Sequence, residues 1–394
     1  MLIRHLSEIL QKRLQLARSI YLFGARQVGK TTTLRQTFPE FPYRSLEDPD
    51  QEQAAVADPK GFLRQFQSTG AILDELQRVP DLFRYLQGFL DQHTAKFVLS
   101  GSQNFLLNQH ISQSLAGRIS ILEMMPLSHR EICGQSTNAP LFSAQGWHEG
   151  QQIDLHLRLW QGGYPQPGLN AELASFWFAD YERTYLERDV RLLINVTNLQ
   201  KFGQFMRMLA HRAGALLNVA NLANELGISE NSCRQWIGIL EASGVVFRLL
   251  PYHRNYNKRL VKSPKIFFND TGLLCYLLGI SEPQILQNHA SSGHIFENYV
   301  IAEIRKHFLN QGQRPNLFFW RDKTGTEVDL LIELAGELQA IEIKKGQTFT
   351  SDWLVAFRKW SKWSAVRLNQ CHIIYGGDQT QLVDGVRIHP WFFI

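Results

Sequence analysis

The sequence contains few cysteines and no long apolar run. Only four cysteines occur among 394 residues, at positions 133, 233, 275 and 371, and they form neither a CxxC pair nor a cluster with histidines. This spacing suggests neither a disulfide framework nor a zinc site, and it favours a reducing compartment. No apolar run approaches the ~18 residues of a membrane-spanning helix, and Arg4, Glu8, Lys12 and Arg13 occupy the amino terminus, where a signal peptide would be apolar. We therefore expect a cytoplasmic protein that does not enter a membrane.

The composition is that of a globular protein with a modest positive charge. Hydrophobic residues make up 44% and charged residues 20% of the chain, which excludes a disordered or fibrous protein. The length predicts roughly two to four domains. Lys and Arg outnumber Asp and Glu by 41 to 36, a balance that alone indicates little about partners. Residues 242–269, however, contain six basic residues and no acid.

A phosphate-binding loop follows the first apolar strand. Residues 20–23 predict a buried strand, and the eight residues after them match GxxxxGKT in full. The glycines of such a loop let backbone N–H groups surround the nucleotide phosphates, Lys30 reaches the β and γ oxygens, and the Thr31 hydroxyl binds Mg²⁺. A decayed loop that no longer binds nucleotide is the alternative. The predicted ATP-binding residues are Gly24, Ala25, Arg26, Gln27, Val28, Gly29, Lys30, Thr31 and Thr32.

Two further strand ends carry polar residues suited to the same site. A strand at 71–73 runs into Asp74, which would hold the Mg²⁺ shell, and Glu75, which would polarise the attacking water. A strand that simply ends on two solvated acids is the alternative. A strand at 96–99 leads to Ser102 and Asn104, which are candidate sensors of the γ-phosphate, although such residues also mark ordinary turns. The three strand ends together predict a site of ATP hydrolysis.

Arg118 is the candidate for neutralising charge in the transition state. A guanidinium at the γ-phosphate would stabilise the negative charge that develops there during hydrolysis. The sequence leaves open whether Arg118 acts in its own subunit or in a neighbouring one. A surface arginine without a catalytic role is the alternative.

Seven short motifs are spread over nearly the whole chain. They are GARQVGKTT (24–32), ILDE (72–75), SGSQ (100–103), AGR (116–118), GGYP (162–165), YLERDV (185–190) and NDTGL (269–273). Together they resemble the prokaryotic AAA-type ATPases with a carboxy-terminal domain of unknown function. The resemblance implies an amino-terminal AAA-like ATPase, a winged-helix element and a carboxy-terminal restriction-endonuclease-like module. AAA-type sites commonly borrow a neighbour's residue, so we expect a homo-oligomer, with a hexameric ring as one arrangement.

The middle of the chain predicts a winged helix-turn-helix. Residues 219–227 and 229–244 read as two short helices joined by a tight turn, with Ser229 as the cap of the second. Strands at 245–249 and 265–268 flank a basic loop, which would lie near a DNA backbone while the second helix enters the major groove. A protein-interaction module, or a solvated basic face, is the alternative. The candidate DNA-binding residues are Arg234, Arg254, Lys258, Arg259 and Lys262.

The carboxy-terminal segment carries the residue pattern of a metal-dependent nuclease. Asp329 lies in the second strand of a predicted hairpin, and Glu342 and Lys344 share one face of the next strand. This spacing matches the D…ExK core of restriction-endonuclease-like nucleases, in which carboxylates bind Mg²⁺ and the lysine places or activates water. Glu297 lies on an upstream helix, where that fold often adds a carboxylate. A solvated strand face, or a decayed nuclease fold that binds DNA without cutting it, is the alternative.

These observations predict an α/β protein with three segments. Residues 1–150 form a P-loop AAA-like ATPase, 151–290 a helical linker with the winged helix-turn-helix, and 291–394 the nuclease-like module. The predicted function is ATP hydrolysis, with ATP and Mg²⁺ as cofactors, coupled to an action on DNA. The alternatives are a signalling or defence ATPase whose carboxy-terminal region only scaffolds a protein partner, and a nucleotide-dependent switch that binds DNA without cutting it.

Overall fold

The computed structural model contains two compact units. The first comprises residues 1–127 with two short later segments, 242–244 and 309–313, and the second comprises the rest of the chain. The predicted division into three segments stays a prediction. No helix in the part of the chain described below is long and apolar enough to cross a bilayer. The structure describes residues 2–102, 118–136, 139–145, 154–185, 199–252, 263–322, 324–334, 336–364 and 366–394, without the side chain of Trp363.

A five-stranded parallel sheet forms the centre of the first unit. The strands are β1 (Ser19–Phe23), β2 (Tyr43–Ser45), β3 (Ala71–Asp74), β4 (Phe97–Gly101) and β5 (Ile119–Glu123). They are arranged in the order β2-β3-β4-β1-β5, and each neighbouring pair is parallel. Strands β3 and β4 are buried along their whole length, as their short apolar runs predict for a parallel sheet covered on both faces. The carboxyl ends of β1, β3 and β4 therefore meet at one edge of the sheet.

Helices accompany this sheet in the described part of the first unit. They are α1 (Leu6–Leu16), α2 (Lys30–Thr37), α3 (Pro49–Ala57), α4 (Pro59–Arg64) and α5 (Leu82–Gln92). Asp48 and Asp58 cap α3 and α4, and a proline follows each of them at the first helical position. The strand, loop and helix predicted around the phosphate-binding motif are confirmed, because β1 ends at Phe23 and α2 begins at Lys30.

The helices after residue 128 lead into the middle of the chain and frame its carboxy-terminal sheet. They are α6 (His129–Ile132), α7 (Leu155–Gln161), α8 (Pro165–Leu169), α9 (Ala174–Tyr185), α10 (Leu199–Ala210), α11 (Val219–Leu226), α12 (Glu230–Ala242), α13 (Thr271–Leu277), α14 (Pro283–Asn288), α15 (Ser292–Asn310) and α16 (Val355–Ser364). The predicted pair of helices before the wing is confirmed as α11 and α12.

The GGYP and NDTGL motifs pack against each other in the second unit. The Asp270 carboxylate accepts a hydrogen bond from the Gly163 N–H at 2.6 Å, and it caps α13 by accepting from the Leu273 N–H at 2.9 Å. A Cβ at Gly162 would lie 2.4 Å from an oxygen of Asp270, so only glycine allows this approach. Tyr164 packs among the aromatic rings of α9. Within the described residues these two motifs serve packing.

Three helices and a strand pair follow in the order of a winged helix-turn-helix. Strands β6 (Val246–Pro251) and β7 (Lys265–Phe268) are antiparallel, and the chain between them from 253 to 262 lies outside the described residues. Phe202 and Phe205 of α10 pack on Trp236 of α12, with ring centroids 5.2 and 5.4 Å apart. The Ser229 hydroxyl accepts a hydrogen bond from the Ser232 N–H at 3.0 Å, so the predicted cap of α12 is confirmed.

The remaining strands continue the same sheet. They are β8 (Leu317–Arg321), β9 (Glu327–Leu334), β10 (Glu337–Lys344), β11 (Cys371–Tyr375), β12 (Gln381–Val383) and β13 (Val386–Pro390). Strands β8, β9 and β10 form an antiparallel meander, α16 follows, and β11 returns parallel to β10. Strand β6 pairs with β8 through two residue pairs, Leu250 with Phe318 and Pro251 with Phe319. Strands β6 and β7 and the meander therefore belong to one eight-stranded sheet.

Candidate nucleotide and metal sites

The phosphate-binding loop occupies the turn between β1 and α2. A Cβ at Gly24 would lie 2.2 Å from the carbonyl oxygen of Met124, so the loop passes too close to that backbone for any larger residue. Gly29 adopts φ 94° immediately before α2, a left-handed conformation that also favours glycine. The amino end of α2 is thereby presented at the loop, where unpaired backbone N–H groups favour an anion.

Lys30 lies inside this loop. Its side chain is buried, and its ammonium group donates hydrogen bonds to the carbonyl oxygens of Gly24 and Ala25, each at 2.9 Å. A cation held within a ring of backbone groups at a helix start matches the charge of a nucleotide's β and γ phosphates. The loop residues therefore fit ATP in both shape and charge.

Asp74 is the centre of the hydrogen-bond network at this sheet edge. One carboxylate oxygen accepts from the Thr31 hydroxyl at 2.5 Å and from the Tyr43 hydroxyl at 3.0 Å. The other accepts from the Ser100 hydroxyl and from the Glu75 N–H. A hydroxyl and a carboxylate in contact are ligands that Mg²⁺ prefers, so Thr31 and Asp74 fit the predicted metal role. Burial and the Asp74 charge raise the pKa of Tyr43 to about 12, which keeps this phenol protonated as a donor.

Glu75 has a strained backbone and a fixed side chain. Its φ of 55° and ψ of 43° lie in the left-handed region, which costs a non-glycine residue about 1–2 kcal/mol. One carboxylate oxygen accepts hydrogen bonds from the Gln77 amide and, at 3.4 Å, from the Ser102 hydroxyl. Backbone strain of this kind concentrates at functional sites. The structure thus brings Glu75 and Ser102 together beside Asp74, whereas Asn104 lies outside the described residues.

Arg4 stabilises the loop through hydrogen bonds to the backbone, and its role was not predicted from the sequence. Its guanidinium donates to the carbonyl oxygens of Val28 in the loop and of Met125 beyond β5, both at 2.7 Å, and the residue is only 5% exposed. The only sequence signal is an arginine ahead of an amphipathic helix, and that pattern usually marks a solvated residue.

Arg118 lies at the opposite edge of the sheet from the loop. It immediately precedes β5, whose first residue pairs in parallel with Ser19 at the start of β1, whereas the loop follows the end of β1. Five strand residues span about 16 Å. The guanidinium forms a two-pronged ion pair with Asp91 on α5, at 2.7 and 3.1 Å. The structure therefore does not bring Arg118 to the phosphate-binding loop of its own subunit.

The residues predicted for a nuclease-like core, Asp329, Glu342 and Lys344, lie together in one pocket of the second unit. The Lys344 ammonium lies 2.5 Å from a Glu342 oxygen and 3.9 Å from an Asp329 oxygen, and Asp329 also accepts from the Ile343 N–H at 2.7 Å. The second Glu342 oxygen has no hydrogen-bond partner in the structure, and water cannot easily supply one because the residue is only 6% exposed. An orphaned carboxylate oxygen beside a second carboxylate fits a divalent cation, so the donor set suits Mg²⁺.

Two residues outside the predicted set complete this pocket. Lys265 of β7 donates to one oxygen each of Glu297 and Glu327, and the Glu297 distance is 2.9 Å. Oxygens of Glu297, Glu327 and Asp329 all lie within 4.8 Å of one another. The sequence pattern missed Glu327, which points to the same face of β9 as Asp329, and it placed Lys265 only among the six basic residues of 242–269. Side chains two residues apart in a strand share a face, so the presence of Asp329 in β9 could have predicted the position of Glu327.

The carboxylates of the pocket respond differently to its electrostatics. Burial, with the charges of Glu342 and Glu297, raises the pKa of Asp329 well above its usual range, and burial also raises the pKa of Glu342. Burial acts to raise the pKa of Glu297 as well, but His294 and Lys265 outweigh it, so that pKa lies below its usual range. The pocket therefore favours the charged form of Glu297 and disfavours the charged form of Asp329.

The predicted DNA-binding residues are only partly described. Arg234 extends from the exposed face of α12, where it pairs with Glu230 at 3.0 Å, and its side chain is 63% exposed. Asn231 and Gln235 lie on the same exposed face. The other candidates lie outside the described residues; they are Arg254, Lys258, Arg259 and Lys262.

Three family descriptions together match most of the chain. The AAA domain family matches residues 17–133. A domain of unknown function, DUF8612, matches residues 152–284, and another, DUF4143, matches residues 292–393. The AAA match supports nucleotide binding and ATP hydrolysis in the first unit, whereas the two other matches carry no described activity.

Two solved structures are distantly similar to this chain. The Walker-type ATPase PABY2304 of Pyrococcus abyssi is 14% identical with a TM-score of 0.45, over 69% of this chain and 94% of that one. The Orc1 protein of Aeropyrum pernix, solved in complex with DNA, is 13% identical with a TM-score of 0.32, over 68% of this chain and 89% of that one. At these scores neither likeness supports a conclusion about function.

Two mycobacterial proteins are closer relatives. The uncharacterized proteins Rv2008c of Mycobacterium tuberculosis and Mb2031c of Mycobacterium bovis are each 32% identical over 348 residues, which is 86% of this chain and 73% of theirs. The expected carboxy-terminal domain of unknown function is present as well. This chain belongs to the same family as these two proteins, and its AAA domain makes it an AAA-type ATPase.

Proposed function

We propose that this AAA-type ATPase acts on DNA, through a winged helix-turn-helix and a nuclease-like pocket that its nucleotide site regulates. One observation carries the proposal. The meander of β8, β9 and β10 gathers Asp329, Glu342 and Lys344 in a single pocket, and its sheet is continuous with the strands of the wing. A DNA strand held by the wing would therefore lie on the same sheet as the carboxylates.

In the nucleotide site, each residue has a role that its contacts support. Lys30 would exchange its carbonyl contacts for the β and γ phosphates, while Thr31 and Asp74 would hold Mg²⁺. Glu75, oriented by Gln77 and Ser102, would polarise the attacking water. When bound, the metal neutralises charge on the transferred phosphoryl group.

Arg118 would act on a neighbouring subunit. Its place at the amino end of β5 removes it from its own loop, and its side chain is 36% exposed in a contact with Asp91 that a second subunit can replace. An arginine supplied in trans stabilises transition-state charge in many NTPases. This role requires the homo-oligomer that the sequence predicts.

In the nuclease-like pocket, Asp329 and Glu342 would bind Mg²⁺ and Glu297 would assist. Lys344 lies between the first two carboxylates, where its ammonium can orient a water molecule toward a phosphate. Because burial and the neighbouring carboxylates raise the pKa of Asp329, metal binding would compete with its protonation.

A second candidate is a pocket that binds DNA without cutting it. The observation that favours it is the number of fixed cations, because Lys265 and Lys344 already neutralise much of the carboxylate charge. A nicking assay on supercoiled, forked and four-way DNA with Mg²⁺ or Mn²⁺ separates the two. Cleavage by the wild type that Glu342→Gln abolishes supports the nuclease; no cleavage of any substrate favours binding alone.

DNA binding itself is tested by its salt dependence. Gel shifts of duplex, single-stranded, forked and four-way DNA would be measured with and without ATP at several salt concentrations. Each phosphate contact contributes about 0.9 to the slope of log K against log salt, so Arg234→Ala should flatten the slope by about that amount. Replacing the four basic wing residues 254, 258, 259 and 262 by Ala should flatten it further.

Lys362→Ala, which removes one exposed charge from α16, is the matched control and should leave the slope unchanged. Binding that shows no salt dependence, or variants with the wild-type slope, would contradict the DNA proposal. Such a result would favour the scaffolding of a protein partner.

A further inference from the structure

Lys265 is a buried cation that the wing contributes to the nuclease-like pocket. Its side chain is 4% exposed and comes from β7, more than thirty residues ahead of the first carboxylate that it contacts. The ammonium donates to Glu297 at 2.9 Å and to Glu327, and the rings of Phe267 and Phe319 lie 6.0 and 5.6 Å from it. A buried ammonium without such partners would be strongly destabilised. Lys265 is therefore fixed at this point.

The position of the ammonium is one that a metal ion could occupy. Glu297, Glu327 and Asp329 each offer an oxygen, and these oxygens lie within 4.8 Å of one another. Two of the three carboxylates are bonded to Lys265. Beside them, one buried oxygen of Glu342 lacks a hydrogen-bond partner in the structure. The Lys344 ammonium lies between the carboxylates of Glu342 and Asp329. The pocket thus has one cation position filled by Lys265 and one acceptor still unsatisfied.

We propose that the Lys265 ammonium takes the place of a second divalent ion, so that the pocket binds at most one. The single ion would lie at Asp329 and Glu342, and the charge that a second ion would supply at Glu297 and Glu327 comes from the protein. This inference deepens the proposed metal site and rests on it. A two-metal mechanism, in which paired ions hold the attacking and leaving oxygens, is then not available to this pocket.

The test is to count ions in the full chain with Lys265 removed. Lys265→Met nearly retains the length of the side chain but vacates the ammonium position, so Glu297 and Glu327 lose the cation that they share and become available to a second ion. We expect this variant to bind one Mn²⁺ more than the wild type in calorimetric titration without nucleotide. Any ion at the phosphate-binding loop is common to both proteins and cancels in the difference. Mn²⁺ should also raise the melting temperature of the variant more than that of the wild type.

Two further variants separate ion binding from a general loss of a buried ion pair. Lys306→Met removes another lysine that is 4% exposed and paired with a carboxylate, Glu303 at 2.7 Å, and it should leave the ion count unchanged. Lys265→Met combined with Glu297→Gln removes a ligand as well as the ammonium, so the extra ion should be lost again. Both comparisons use the same titration.

The inference is overturned if Lys265→Met binds no more Mn²⁺ than the wild type, or if its melting temperature is the same at every Mn²⁺ concentration. If Lys265→Met folds only when metal is present, the melting temperature still reports whether Mn²⁺ stabilises it. A wild-type pocket that binds two ions overturns it as well. A gain of one ion in Lys265→Met supports it even when no protein cuts DNA, so failure of the nuclease proposal is distinguishable.

Discussion

Removal of Arg4 should loosen the phosphate-binding loop while every residue of the nucleotide site keeps its own side chain. Arg4→Met deletes two buried hydrogen bonds of 2.7 Å, to the carbonyl oxygens of Val28 and Met125. Both oxygens then lose the guanidinium as a donor. Hydrogen bonds from charged groups contribute about 1.5–3 kcal/mol each. Part of that is offset because a buried guanidinium is no longer desolvated. We expect a net loss of about 2–4 kcal/mol in the stability of the loop.

Hydrogen exchange measures this loss locally, since the amide protons of the loop exchange when the loop opens. A loss of 2–4 kcal/mol corresponds to about 30- to 900-fold faster exchange at 25 °C. ATP should bind about tenfold more weakly, because binding must then also order the loop. Saturating nucleotide should restore most of the protection.

The matched control is Arg13→Met on α1. Arg13 is exposed and donates to the Gly312 carbonyl oxygen at 3.3 Å, so its loss should change exchange in the phosphate-binding loop very little. If Arg4→Met and Arg13→Met exchange at the same rate in the loop and bind ATP equally well, then Arg4 does not support the loop.

Three further predictions concern the nucleotide site. Lys30→Ala should lose ATP binding, whereas Glu75→Gln should bind ATP and turn it over about 10²- to 10⁴-fold more slowly, as steady-state assays would show; equal turnover would remove Glu75 from catalysis. Arg118→Ala should lower turnover at nearly unchanged affinity, and mixing it with Lys30→Ala should restore activity if Arg118 acts in trans. Tyr43→Phe should be less stable than the wild type below pH 10, because it lacks the hydrogen bond to Asp74. The pKa of Tyr43 is raised to about 12 in the folded protein, so the wild type loses this advantage between pH 10 and 12 as the phenol ionises beside Asp74. Urea unfolding over this pH range measures the shrinking difference in stability.

Local pattern was sufficient to predict the elements of the nucleotide site, but not the contacts between them. The apolar runs, the glycines and the acids at strand ends are patterns formed by residues close together in the sequence. The elements that they predict are present as β1, α2 and β3. The bond between Ser100 and Asp74 depends instead on the strand order, in which β4 is inserted beside β3. No spacing in the sequence encodes that order, so Ser100 was not singled out.

The same distinction holds in the carboxy-terminal pocket. Asp329, Glu342 and Lys344 lie in adjacent strands of a meander, where alternation predicts a shared face. Lys265 reaches the pocket only because β6 joins β8 and carries β7 with it to the edge of the sheet. That pairing links segments more than fifty residues apart, which local patterning does not detect.

The eight-stranded sheet also limits how this chain can be dissected. Only two residue pairs join β6 to β8, and their β8 members are the apolar residues Phe318 and Phe319. A fragment that begins at residue 291 would expose β8 as an open strand edge, available for pairing with a second copy. The same cut would remove Lys265, the ammonium that Glu297 and Glu327 share, although His294 and Arg321 would still contact them. The carboxy-terminal segment thus depends on β6 and β7, and an expression fragment should include both strands.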